Sequence, residues 1–263
     1  MKNESRLSAI VDVQQYPLGD SGFRSRCKAE LDDNGVLTLK GFLLADAVDL
    51  VRQEGHQLSH LAFYTQQDHN VYLAPPDPDF SDDHPRNRAV ISSKGCITDD
   101  QIPSSSPLHL LYDSALFRSF LCEVLGESRL YEYADPLSSV NLHYASRGQE
   151  LGWHFDNSSF AITLMIQAPQ LGGQFEYVGN VRDADVGEMN FSGVNDVLEG
   201  RVPVMQLVMQ AGDLVLFRGR NAIHRVAPVE GDTTRMLVVL AYNTEPDIPL
   251  SESARMTFYG RLD

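Results

Sequence analysis

Apolar and polar positions change their period partway along the chain. In the first half the spacing is helical. Residues 44–64 place Val48, Val51, Leu58 and Leu61 near one helical face, so a helix is expected there. Gly55 interrupts it at a cost of about 1 kcal/mol. Before it, Val36-Leu37-Thr38-Leu39 reads as a short strand ended by Gly41. A second helical region spans 107–126, with Gly126 as its stop. Between the two helical regions lies APPDPDFSDDHPRNR, residues 74–88. Each proline there removes a backbone donor and biases the preceding residue away from helix, which predicts an extended loop. Residues 1–34 are polar and show no clear period.

After residue 138 the runs become short and alternating: 139–143, 160–167, 174–178, 202–210, 213–217 and 236–243. Gly172-Gly173, Ala211-Gly212-Asp213 and Glu230-Gly231-Asp232 punctuate them as turns. Six such strands predict an antiparallel sandwich or jelly roll. The stretch 180–200 lacks a strand pattern and is expected to cross the mouth of that sandwich, with a short helix near 196–199. No flexible linker divides the chain. Residues 1–263 are therefore expected to form one domain, a helical and loop part (1–137) on a β core (138–263).

Composition narrows the functions this architecture can serve. A hydrophobic content of 43% with 22% charge is that of a globular protein. Lys and Arg total 21 against 36 Asp and Glu, a net charge of −15. That balance argues against nucleic acid and anionic membranes, both of which need basic surface. No apolar run reaches the length of a membrane span, and the start of the chain lacks a signal-peptide stretch. Cys27, Cys96 and Cys122 form no CxxC pair. They read as free thiols in a reducing cytoplasm.

The chemistry gathers in GWHFDNSSF, residues 152–160. His154 and Asp156 are two apart, and on a strand such residues face the same side. An imidazole with a carboxylate suits Fe(II), Mn(II) or Zn(II), although the pair alone is common. The second half comes downstream, where His224 follows the strand run 212–217 and Arg235 heads the apolar run MLVVLAYN. Two histidines and a carboxylate form the facial triad of non-haem iron, which leaves three positions open. A chelating 2-oxo acid takes two of them and dioxygen the third. The far carboxylate of that acid then needs a buried cation, and Arg235 is placed to supply it by a bidentate pair.

Most of residues 77–261 resembles the Fe(II)/2-oxoglutarate-dependent oxygenases of double-stranded β-helix fold, closest to the radical halogenases of free amino acids and their hydroxylase relatives. The segments that carry the resemblance are DPDFSDDHPRNR (77–88), ADPLSSVNLHYASRGQELGWHFD (134–156), GGQFEYVGNVRD (172–183), GDLVLFRGRNAIHRVAPVEGD (212–232), LAYNTEPD (240–247) and FYGR (258–261). The resemblance implies a mainly β, cupin-like jelly roll with flanking α-helices. It implies His154, Asp156 and His224 as iron ligands and Arg235 as the 2-oxoglutarate anchor. The halogenases have a small residue where Asp156 stands, and chloride fills that vacancy. Asp156 therefore points to hydroxylation, with succinate and CO2 as co-products.

For a small free amino acid, Arg86 or Arg88 is expected to hold the carboxylate. Asn157 and Asn243 are expected to face the substrate, and Tyr144 and Asn141 to line the 2-oxoglutarate pocket. The neutral Asn157 disfavours a cationic side chain on the substrate. Desaturation or cyclisation by the same iron chemistry stays open, as do a non-catalytic cupin-like metal module and a homodimer. His56 and His60 share a helical face, but no glutamate follows His56. They are expected to be solvated. Trp153 is expected in the core, opposite His154.

Overall fold

The computed structural model describes residues 6–263; residues 1–5, the start of the polar N-terminal stretch, lie outside the described residues. Its helices and strands run in the order α1 (Ser21–Asn34), β1 (Val36–Leu39), α2 (Ala45–Leu58), β2 (Phe63–Asn70), β3 (Ala89–Ile97), α3 (Pro107–Tyr112), α4 (Ala115–Leu125) and β4 (Val140–Ala145). They continue with β5 (Leu151–His154), β6 (Ala161–Gln167), β7 (Phe175–Val178), α5 (Phe191–Leu198), β8 (Met205–Leu207), β9 (Leu214–Phe217), β10 (Ile223–Val226), β11 (Arg235–Leu240) and α6 (Glu252–Tyr259). All pairings are antiparallel, in the order β1-β9-β6-β11-β4-β3-β5-β10-β7-β8, with β2 joined to β3. The fold is the expected jelly roll, a curled antiparallel sheet with a few helices.

Alternation along the strands sorts side chains into two layers. Leu142 and Tyr144 of β4, Ile162 and Leu164 of β6, Leu214 and Leu216 of β9, and Val238 and Leu240 of β11 join the main core. There they meet Val48 and Val51 of α2 and Phe117, Phe120 and Leu121 of α4. The opposite parity (His143, Thr163, Val215, Phe217, Arg235, Leu237, Val239) lines a cavity inside the roll. A second core lies under the loop after β2 and under α5, formed by Val71, Tyr72, Trp153, Phe155, Val194, Val197 and Ile223. Trp153 is therefore core, as expected.

Several elements differ from the expectation. Helix 107–126 is two helices, because Ser114 turns out of helical geometry and its hydroxyl accepts from Phe117 N to start α4. Helix 44–64 stops at Leu58, passes through a short 3-10 turn, and the chain enters β2 at Phe63. The run 202–210 pairs only over Met205–Leu207. Pro203 withholds a donor just before it, and β8 is the sheet's edge. The short helix is longer and earlier than expected, at Phe191–Leu198. Helix α1 buries only Cys27 and Leu31, too narrow a stripe to show in the sequence. Among the described residues no helix is long and apolar enough to cross a membrane.

Candidate active site

Strands β5 and β10 bring the two histidines together. His154 and His224 are cross-strand partners, with ring centroids 4.2 Å apart. Each Nδ1 donates to a carbonyl two residues earlier, His154 to Gly152 O at 2.8 Å and His224 to Ala222 O at 2.9 Å. A carbonyl only accepts, so each ring carries a proton at Nδ1 and turns its Nε2 toward Asp156. Asp156 lies just past β5, where its amide donates to Gly219 O at 3.1 Å. Its Oδ1 lies 3.5 Å from His224 Nε2 and 3.9 Å from His154 Nε2. One ligand atom from each of the three lies within 4.8 Å of the others, and no other such trio of His, Cys, Asp or Glu gathers among the described residues.

The donors have the protonation a metal requires. Burial, and then the neighbouring His224, push His154 down to about 3, so it is neutral near pH 7. Burial alone would raise Asp156, but the fields of His224, His154 and Arg182 outweigh it and hold it below the usual carboxylate range. Its second oxygen, Oδ2, is buried without a hydrogen-bond partner. An ionised oxygen so placed is costly unless a cation completes it. Gly219 is essential to this packing: a Cβ there would lie 1.9 Å from Asp156 Oδ2 and 2.9 Å from His224 Cε1. Two imidazole nitrogens facing one ionised carboxylate, with an orphaned carboxylate oxygen, together fit a divalent metal ion.

Two chambers meet at this trio. The inner one, about 280 Å³, is walled by Phe175, Leu207, Met209, Val215, Phe217 and Leu237, with Arg235 and His143 inside it. Arg235 is 4% exposed, its Nε has no partner, and burial pushes it down to about 10, so it stays a cation. The outer chamber, about 700 Å³, is walled by Gln67, Asn70, Asn87, Ser92 and Asn157, by the 73–76 segment and by α6. Lys94, Leu151, His154 and Asp156 line both.

Sequence reasoning brought His154, Asp156, His224, Arg235 and Asn157 to these chambers. Five expected residues go elsewhere. Tyr144 has the wrong parity on β4: its ring lies in the main core and its hydroxyl donates to Gly55 O at 2.7 Å. Asn141 shares the parity of His143 but sits farther along the strand. It donates to Leu137 O and Val140 O there and accepts from the Tyr259 hydroxyl at 2.9 Å. Asn243 falls beyond the end of β11, lines neither chamber, and donates to Ile248 O. Arg88 pairs with Glu199 at the start of the loop after α5. Arg86 does not line either chamber; it packs 5.6 Å over the Tyr72 ring and donates to Pro75 O at 3.1 Å. Its Nη1 is nevertheless buried with no partner. His56 and His60 are exposed, and His84 stacks on Phe80. Lys94, His143 and Gly219 were missed as site residues; only their parity in the pairing register, or a close approach, reveals them.

A family model described as halogenase D matches residues 20–257. The chain belongs to the halogenase D family. No curated protein matches it. Among solved structures, the 2-oxoglutarate-dependent epimerase SnoN from nogalamycin biosynthesis aligns with a TM-score of 0.57 and 15% identity, over 85% of this chain and 81% of its own. HygX from Streptomyces hygroscopicus, solved with nickel, 2-oxoglutarate and hygromycin B, gives 0.57 and 15%, over 86% and 89%. A prolyl hydroxylase from Trichoplax adhaerens gives 0.54 and 15%, over 83% and 88%. At such identities the likeness is one of fold.

Proposed function

We propose that this protein is a non-haem Fe(II) and 2-oxoglutarate-dependent oxygenase that hydroxylates an unactivated C–H bond of a small free amino acid. The observation that carries the reading is the His154, Asp156, His224 trio with its orphaned carboxylate oxygen, opening onto a cavity that holds a buried, unpartnered Arg235. Iron(II) on those three residues supplies activation of dioxygen coupled to oxidative decarboxylation, so that R–H, O2 and 2-oxoglutarate become R–OH, succinate and CO2.

The chain's own groups do the rest. Arg235 receives the distal carboxylate of 2-oxoglutarate, and the apolar inner wall keeps water from that pair. Asp156 fills the ligand position that halogenases of this resemblance leave for chloride, which supports hydroxylation over chlorination. The outer chamber offers a substrate the amides of Asn70, Asn87 and Asn157 and the hydroxyl of Ser92, with the carboxylate of Asp68 and the imidazole of His69 beside them. Arg86 and Arg88 line neither chamber, and Arg88 is already paired with Glu199, so neither is assigned a substrate contact. We take residues 1–263 as a single oxygenase domain, and the three free cysteines support a reducing compartment.

Anaerobic purification, Fe(II) loading and a succinate assay against an amino-acid panel test this. Stimulated succinate with a product heavier by one oxygen is expected. Loss of two hydrogens would replace hydroxylation by desaturation or ring closure. No stimulation across the panel, with iron bound, would overturn the reading.

A further inference from the structure

The inner chamber holds a second cation. Lys94 on β3 shares its walls with Arg235, and its ammonium donates to His143 Nδ1 at 3.2 Å. Burial, and then Lys94 and Arg235, hold His143 well below its usual range, so the ring is a neutral acceptor. Phe258 lies on another side, its ring centroid 5.2 Å from Nζ. Among the described residues neither Lys94 nor Arg235 has a carboxylate partner within salt-bridge reach. Two such half-buried and buried cations are costly in an apolar chamber unless an anion completes each.

Their positions differ in a useful way. Arg235 lines the inner chamber alone, whereas Lys94 stands with His154 and Asp156 on the seam common to both chambers. Burial holds Lys94 below its usual range and the nearby Arg235 adds to that, while the field of Asp156 acts in the opposite direction. A dianion with a carboxylate at each end matches that arrangement. We infer that Lys94, aimed by His143, is the binding residue for the metal-proximal carboxylate of 2-oxoglutarate, while Arg235 takes the distal one. This rests on the oxygenase reading above. His143 is a positioning residue: it holds the ammonium toward the seam without touching the co-substrate.

Two 2-oxo acids separate the ends. 2-Oxovalerate keeps the proximal carboxylate and the keto group of 2-oxoglutarate but lacks the distal carboxylate. Binding of each is read by anaerobic calorimetric titration of the Fe(II)-loaded protein, without turnover. Lys94→Met, which keeps an apolar stem, should weaken both acids by about 10–100-fold, the range of one charge-assisted hydrogen bond. Arg235→Met should weaken 2-oxoglutarate by a similar factor and leave 2-oxovalerate unchanged. Lys94→Arg should restore part of the affinity for both, which a purely structural lysine would not do. Wild-type affinity of Lys94→Met for both acids would overturn the inference, and so would a loss confined to 2-oxoglutarate. Failure of the wild-type protein to bind either acid, with iron loaded, would instead sink the oxygenase reading.

Discussion

The two chambers that meet at His154 and Asp156 are built on opposite principles. The inner one is walled by strand residues mostly of one parity and mostly apolar, and its two cations, buried Arg235 and half-buried Lys94, have no counter-ion among the described residues. The outer one is walled by β2, by the 73–76 segment and by α6, and it adds amides, hydroxyls, Asp68 and His69 to the shared seam. A wall of paired strands is rigid and sets distances; a wall of loop and helix end is free to vary. The difference teaches where to look for each kind of specificity. The inner chamber can impose one invariant co-substrate and one metal. On the proposed reading, the outer chamber selects what is oxidised.

The sharpest way to break that division is at the shared seam. Asp156→Gly removes one of three donors and should lower hydroxylation by at least about 100-fold, since even outer-shell partners of metal ligands cost 10–100-fold. The same variant opens a ligand position, so halide binding to the iron-loaded protein is expected and is read by its visible spectrum. Full hydroxylase activity would show that Asp156 is no ligand. Gly219→Ala comes next. Its Cβ would sit 1.9 Å from Asp156 Oδ2, so the carboxylate must move. A stability loss of about 1–3 kcal/mol is expected from the overpacking. Iron affinity should fall, while an outer-chamber substitution leaves it intact; metal titration and melting separate the two effects.

Protons offer a gentler probe of the inner chamber. His143 and His154 are neutral in the fold, both pushed down first by burial. The unfolded chain gains protons on both as pH falls through about 6.5. The folded chain resists, in the case of His154 until about pH 3. The contribution of these two histidines to the stability of the metal-free protein is therefore full above about pH 6.5 and declines below it, by at most about 1.4 kcal/mol per group per pH unit, against an opposite contribution from Asp99, which burial pushes up to about 6. Melting temperatures at pH 7 and pH 5 check this, and His143→Phe should flatten the slope. An unchanged slope would mean that His143 is protonated in the fold.

The same contrast explains what could be read from the sequence. The jelly-roll strands were legible because alternation marks a half-buried strand, and the His154, Asp156, His224 set because two short motifs bracket it. Arg235 stood out at the head of a strongly apolar run. Strands β2 and β3 were not legible: FYTQQDHN is polar because β2 pairs only with β3 and lies at the margin of the sheet. Lys94 was lost with β3. Tyr144 and Asn141 were placed near the right strand, but His143 between them is the residue that lines the chamber. That choice depends on register, which a single sequence leaves open. Arg86, Arg88 and Asn243 lie in irregular backbone, where no period tells which way a side chain points.

The smallest expected effect tests the outer wall alone. Asn157 follows Asp156 and lines only the outer chamber, and its own carbonyl accepts from Arg220 Nη1 at 3.0 Å. That backbone tie fixes the residue whatever its side chain, so Asn157→Ala should leave the trio undisturbed. If its amide meets the substrate, removing one neutral hydrogen bond costs about 0.5–1.5 kcal/mol, a few-fold rise in KM for the amino acid. The KM for 2-oxoglutarate should not move. A joint rise in both would mean that the chambers are coupled through the seam and that the division between co-substrate and substrate walls is too sharp. A change in which amino acids are accepted, with iron and 2-oxoglutarate binding constant, is the result that assigns selection to the loop and helix wall.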